Sequence, residues 1–467
     1  MGKSSFFGPE TIALHSGHQP DSDYGSRAVP IYQTTSYVFE SVDEAAAIFN
    51  IEKGGHIYSR ITNPTVAVLE QRIAALEGGS GAICTASGMS ALFVTFMTLC
   101  SAGDHIVSAS QIYGSTGTLL KHTLKRFNID CTFISINDEK ALKEAIQDNT
   151  KLVFCESIGN PGLEVSDLPK IAKIAHHHGI PLVLDATFAT PVLCRPFDHG
   201  VDVIVHSVTK WIGGHGVAVG GAIVDGGAFD WGASKRHPAL TEPYEPFHGI
   251  NFWEEFGPSA LAMRIRAESM RDFGPAMSPH SAFLLLQGVE TLSLRMKQHV
   301  KNAIKLAKWL LDQSSVSWVN HPDLPENPTH LIAKKLFPEG AGSILCFGVK
   351  GGREGGAVFI NALKLSSNLA NVGDSRTLVL HPASTTHSRL DDEAMKASGS
   401  SPDLIRVSVG IESIADIIND FKAGLKAVEK ITTKGILLLA IMRLMSQLGA
   451  VCLIQKSRPW FSYMVVV

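Results

Sequence analysis

The run Val201-Asp-Val-Ile-Val-His-Ser-Val-Thr-Lys210-Trp-Ile-Gly-Gly-His-Gly216 decides how the rest of the chain is read. A β-branched apolar strand ends, two hydroxyl residues follow, and a lysine stands in a glycine-rich turn. Strand and turn present the Lys210 amine at the rim of a sheet. Ser207 and Thr209 are spaced to donate to phosphate oxygens, and the glycines let backbone approach a flat ligand. The plainer reading is a surface lysine after a buried strand. The segment alone leaves the two readings balanced, so the surrounding chain must decide.

Outward from this run, strand and helix patterns alternate. Short, continuous, mostly β-branched apolar runs occur at 82–85, 105–108, 131–136, 152–156, 181–185, 201–206 and 219–224, as expected of strands buried on both faces. Helical patterns lie between them, as at 167–179. Pro64 opens and Gly78-Gly79 closes another helix over 64–77. This rhythm predicts an α/β fold with a mostly parallel sheet, whose ligands bind beyond the C-terminal strand ends. The predicted organisation is an arm over 1–60, an α/β domain over 61–275 with an insertion at 225–275, a smaller C-terminal α+β domain over 276–430, and an apolar tail over 431–467. A last amphipathic helix is expected at 416–430, with apolar positions 417, 418, 421, 425 and 428 on one face.

Composition narrows the function classes. The 467 residues are 45% hydrophobic and 18% charged, with a formal net charge of -3, and no basic stripe supports nucleic-acid binding. The seven cysteines, at 84, 100, 131, 155, 194, 346 and 452, form no CxxC pair, which suits free thiols in a reducing compartment. Met1–Pro9 lacks the apolar run of a secretory leader, and the loose Gly2…Ser5 match to a myristoylation pattern has no support, so a cytoplasmic enzyme is expected. The tail run 435–454 is apolar enough for a membrane segment, but Arg443 stands near its middle. A packed or oligomer-contacting helix, or an unselected extension, is favoured over an anchor. The triplet His176–His178 at a helix end reads as solvated rather than as a metal site, because adjacent helical positions diverge.

Three more stretches complete a phosphate-and-ring site around Lys210. Ser87-Gly88-Met89 lies between a strand and an apolar helix, where backbone N–H groups and the helix dipole hold an oxyanion. The plainer reading of Ser87 is an N-cap. Asp185 ends the strand Leu182-Val-Leu-Asp185, where a carboxylate pairs with a protonated pyridine nitrogen; more often such an Asp is a turn or cap residue. Tyr113, after the strand at 105–108, is placed to stack on a ring, and Asn160 to contact a ring hydroxyl. The chemistry this set suggests is a Schiff base between Lys210 and pyridoxal 5'-phosphate (PLP), with Asp185 keeping the ring an electron sink.

The set Tyr58-Ser-Arg60, Ser87-Gly-Met89, Asn160-Pro161, Asp185, Ser207-Val-Thr-Lys210 and Arg406-Val-Ser-Val-Gly-Ile-Glu412 resembles the PLP-dependent Cys/Met metabolism family over about residues 9–430. The resemblance implies a type I, aspartate-aminotransferase-like fold and a homotetramer of active dimers. It implies that Tyr58 and Arg60 reach the phosphate of the neighbouring subunit and that Arg406 clamps a substrate carboxylate. Lys210 and Tyr113 are then catalytic, with Lys210 the proton carrier. The segments 229–279 and Asn371–His387 are similar to ones typical of O-acetylhomoserine sulfhydrylases, which puts Asn371 beside Arg406 at the substrate. The implied reaction is replacement of acetate by sulfide on O-acetyl-L-homoserine, with no metal. Cystathionine γ-synthase, cystathionine γ-lyase and methionine γ-lyase share the catalytic set and are the alternatives. An inactive structural or membrane-associated member is the alternative of another class. Ser413, where a histidine is common, and the tail depart from the family pattern; His215 has no assignable role.

Overall fold

The structure, a computed structural model, describes residues 8–385 and 401–447. The Gly2…Ser5 pattern, the last two residues of the 371–387 segment, Cys452 and the tail beyond 447 lie outside these.

Seven strands form the larger sheet: β1 Gly81–Thr85, β2 His105–Ala109, β3 Asp130–Ile134, β4 Thr150–Glu156, β5 Leu182–Asp185, β6 Val203–His206 and β7 Gly221–Asp225. Their order is β1-β7-β6-β5-β4-β2-β3. Every pairing from β6 to β3 is parallel, and only β7 runs antiparallel, to β6 and to β1. Each of the seven apolar runs overlaps one of these strands. The reason the runs are continuous is visible in the burial. Leu152–Cys155, Leu182–Leu184 and Val203–Val205 are entirely inaccessible, because helices cover both faces.

Helix ends follow their capping residues. The helix Pro64–Glu77 starts where the Asn63 side chain accepts the Thr65 and Val66 N–H groups, and ends at Gly78 in left-handed conformation, φ +79°. Leu168–His177 buries Leu168, Ile171, Ala172, Ile174 and Ala175 against the sheet. At its end the His176 ring bonds Asp202 at 2.8 Å.

The remaining strands are β8 Val316–Asn320, β9 Ile344–Val349, β10 Ser367–Asn368, β11 Leu378–Leu380 and β12 Leu404–Ser408, in the order β10-β11-β12-β9-β8. A second core lies against this sheet, where Phe347, Phe359 and Phe421 pack with ring centroids 5.3–6.0 Å apart.

Three local expectations are revised. Residues 8–60 are more ordered than an extended arm, with helices at Pro9–His15 and Val42–Phe49; Ser41 caps the second by accepting the Glu44 N–H. Segment 225–275 folds into short helices, among them Trp231–Ser234, Phe252–Phe256 and Ala260–Arg264. The last helix runs over Ile414–Gln447 rather than stopping at 430, since no proline interrupts Lys430–Gln447. Its positions 417, 421, 425 and 428 are buried as the pattern requires, and Ile418 packs at the edge of the same core. Among the described residues no helix is long and apolar enough to cross a membrane.

Candidate active site

A cavity of about 330 Å³ opens at the C-terminal edge of the larger sheet. Ser87, Gly88, Met89, Tyr113, Asn160, Asp185, Ser207, Thr209, Lys210, Asn371 and Arg406 all line it. The first nine come from the strand ends and following loops of the larger sheet, and the last two from the smaller sheet's side.

One wall is the start of the helix Gly88–Leu99. The Ser87 hydroxyl accepts the Ser90 N–H and the Ser90 hydroxyl accepts the Ser87 N–H, a reciprocal cap. The N-cap reading of Ser87 is therefore correct as far as its side chain goes. It leaves the first-turn N–H groups of Gly88 and Met89 without intrahelical acceptors, facing the cavity edge. A β-carbon on Gly88 would lie 2.7 Å from the Ser207 β-carbon, so only glycine lets the two phosphate-side loops meet. Ser207 is held by its N–H, which donates to the Thr187 hydroxyl at 2.8 Å. The Thr209 hydroxyl braces the next strand, donating to the Gly220 carbonyl at 3.1 Å and accepting its N–H at 3.0 Å.

The floor is acidic. Glu156 and Asp185 end neighbouring parallel strands in register, and both line the cavity. Asp185 accepts the Thr187 N–H at 2.9 Å, and Glu156 accepts the Tyr113 N–H at 2.6 Å. Burial raises the pKa of both carboxyls, and the Asp185 charge raises that of Glu156 further. Tyr113 itself is half exposed in the cavity mouth.

The Lys210 amine donates to the Asn371 side-chain oxygen. Burial and then the Arg406 charge lower its pKa from 10.5, which favours the neutral amine. Arg406 donates to the Asn160 side-chain oxygen at 3.2 Å, has no carboxylate partner among the described residues, and is desolvated enough that its own pKa is lowered. A half-buried guanidinium lining an open cavity, with no counter-ion among the described residues, is suited to an anionic ligand. The structural ion pair that was the plainer reading of Arg406 is not formed among the described residues.

The Lys210 turn is gripped from two sides that the sequence alone did not point out. Arg295, on the helix Leu292–Leu311, donates to the carbonyls of Trp211 (2.7 Å), Ile212 (3.2 Å) and Gly288 (2.6 Å). From the smaller sheet, Ser375 donates its N–H to Gly214 O at 2.8 Å, and Arg376 donates to the His215 carbonyl at 3.0 Å. Gly373, at φ +78°, rides so close that a β-carbon would sit 2.6 Å from the Trp211 nitrogen. The His215 ring is not part of the cavity lining. Glu156, Thr187 and Phe188 do line it, and sequence reasoning passed over them. Glu156 and Thr187 flank the strand ends already under scrutiny, and that position was the available signal.

Tyr58 and Arg60 do not join the cavity of their own chain. Arg60 donates to the Arg271 carbonyl and lies 5.5 Å from the centroid of the Tyr58 ring, and Tyr58 is 41% exposed.

Comparison with known proteins fits this geometry. Residues 10–426 match the family model described as Cys/Met metabolism PLP-dependent enzyme. The chain is 51% identical over 419 residues to a homocysteine synthase of Schizosaccharomyces pombe, covering 89% of this chain and 98% of that one. It is 48% identical over 418 residues to an O-acetyl-L-homoserine sulfhydrylase of Thermus thermophilus, covering 89% and 99%. A crystal structure described as an O-acetylhomoserine (thiol)-lyase of Campylobacter jejuni, with N'-pyridoxyl-lysine-5'-monophosphate in its chain, superposes with a TM-score of 0.87. The two share 41% identity, over 90% of this chain and all of that one.

Proposed function

The chain belongs to the Cys/Met metabolism family of PLP-dependent enzymes, and from this premise we propose that it replaces the acetoxy group of O-acetyl-L-homoserine by sulfide, giving L-homocysteine and acetate. The carrying observation is the convergence of Lys210, Asp185 and Arg406 on one cavity, in a chain about half identical over nine-tenths of its length to a homocysteine synthase.

The cavity residues fit the cofactor. Gly88 and Met89 N–H groups, with Ser207 and Thr209, would hold the phosphate; Asp185 would hold the ring nitrogen; Tyr113 would cover the ring, and Asn160 would meet its hydroxyl. Bound there, PLP supplies an electron sink for the pair released when a C–H bond beside the amino group is broken. Lys210 would carry the cofactor and, once its amine is free, take the proton from Cα and pass protons at Cβ. A neutral amine is the form able to accept, and burial with Arg406 favours that form. Asn371 would hold this amine by its side-chain oxygen, and Arg406 would orient the substrate carboxylate. The Cγ–O bond to acetate breaks and a Cγ–S bond forms, with no net oxidation.

The assembly belongs to the same reading. Tyr58 and Arg60, outside their own cavity, would complete the neighbouring subunit's phosphate site within a homotetramer of active dimers. The arm 1–60, the α/β domain 61–275, the domain 276–430 and the tail 431–467 would be its parts. The proposed location is the cytoplasm, in methionine and cysteine biosynthesis.

The test is a substrate panel. O-acetylhomoserine with sulfide should be turned over fastest, with O-acetylhomoserine plus cysteine, cystathionine alone and methionine alone all slow. Faster turnover of cystathionine or methionine would replace this assignment with one of the lyases, and preference for cysteine as the nucleophile would indicate a cystathionine synthase.

A further inference from the structure

Two carboxylic acids share the cavity floor, and only one has an evident partner in the chemistry above. Asp185 accepts the Thr187 N–H and is only partly buried. Glu156, beside it in strand register, accepts a single N–H, that of Tyr113. The Lys210 amine and the Arg406 guanidinium line the same cavity but bond Asn371 and Asn160 rather than Glu156. The Ser166 hydroxyl meets only the Glu156 backbone carbonyl, and His206, at the end of the next strand, bonds Glu77. Two like charges at adjacent strand ends, with no cation bonded to either, repel strongly. The cheaper arrangement places one proton on the pair, on Glu156, which at 6% exposed is the less accessible to water of the two.

We propose that Glu156 is a positioning residue that works as a neutral acid: its carboxyl group pins the Tyr113 backbone at the cavity mouth and leaves Asp185 as the one carboxylate charge on the floor. A second negative charge beside Asp185 would compete for the ring nitrogen's proton and alter the ring's electron demand. A missing acceptor would free the turn Gln111–Gly114 that carries the phenol. This inference rests on the PLP reading but not on which substrate is used.

The test compares Glu156→Gln with Glu156→Asp in the PLP-loaded protein. Glutamine keeps length, acceptor and neutrality. The pH midpoint of the visible cofactor band should stay within about 0.3 units of wild type, and kcat within about threefold. Aspartate keeps the acid but falls one methylene short of the Tyr113 N–H. It should lower kcat by about tenfold or more with KM changed less. Amide hydrogen exchange at Tyr113 should be faster in the Asp variant and unchanged in the Gln variant, a readout independent of turnover. A Gln variant whose band midpoint moves by about a unit or more would overturn the neutral-acid role. An Asp variant matching wild type in both kcat and exchange would overturn the pinning. Failure of the substrate panel with an intact cofactor titration would count against the sulfhydrylase reading alone.

Discussion

The cavity floor and the N-terminal arm are opposite kinds of structure in one chain. The floor is finished within the single chain: the strands beneath Glu156, Asp185 and Ser207 are inaccessible, and neighbouring loops bond one another directly. The arm is not. Tyr24 is 93% exposed, Val38 99%, Val42 85% and Phe49 55%, close together in sequence and without a covering element. Exposed side chains of this kind are what the proposed neighbouring subunit would cover. Arg60 and Tyr58 lie in this unfinished region, although their residue types suit the phosphate site. Chemistry that resides in the floor should therefore fail chain by chain, and chemistry that resides in the arm should fail by pairs.

The largest effect tests the floor. Lys210→Ala should lower turnover by roughly 10³-fold or more, since proton transfer alone contributes about 10²–10⁴. Circular dichroism should be unchanged, because the amine bonds only Asn371. Near-normal sulfhydrylation by this variant would end the assignment of Lys210.

Arg406→Gln tests the wall facing that lysine. Losing the carboxylate clamp should cost kcat/KM roughly 2–5 kcal/mol. It also removes a positive charge that helps hold the Lys210 pKa below 10.5. Without that charge the ammonium form is favoured and the pKa rises, so the acidic limb of the rate profile should move to higher pH. A limb that moves down or stays fixed would show that Lys210 does not set it.

The arm is tested next. Arg60→Ala should weaken PLP retention by about 1.5–3 kcal/mol, the scale of one charge-assisted hydrogen bond, as read by equilibrium dialysis. Mixing Arg60→Ala with Lys210→Ala subunits sharpens the contrast, because a hybrid dimer regains one site with both residues intact. Activity above that of either variant supports an arm that works in the neighbour's cavity. No recovery, with subunit exchange demonstrated, would put Arg60 to work in its own chain.

The smallest effect concerns the other end. Removing residues 431–467 should leave activity and PLP content changed by less than about 0.5 kcal/mol, because the helix positions up to Val428 already close the second core. Loss of the oligomer on truncation, measured by sedimentation, would move the assembling role from the arm to the tail.

Period and punctuation in the chain decided the fold. Strands buried on both faces need unbroken apolar runs, and Asn63-Pro64 and Gly78 mark a helix whatever surrounds them, so the α/β architecture and the strand-end placement of Asp185 and Lys210 were legible. The cavity-lining candidates with a distinctive type and position were legible for the same reason. Three things needed the tertiary structure. The tail helix passes the expected stop at 430, since only a proline or a glycine cap would end it and the pattern supplies neither before Gly435. Arg295 reaches the Lys210 turn from 85 positions away, and Glu156 gains its meaning from lying beside Asp185. Local sequence fixes φ/ψ preference and burial pattern, which act over a few residues. Which donor meets which acceptor, and which of two acids keeps its proton, depends on distances that exist only after the strands are laid side by side.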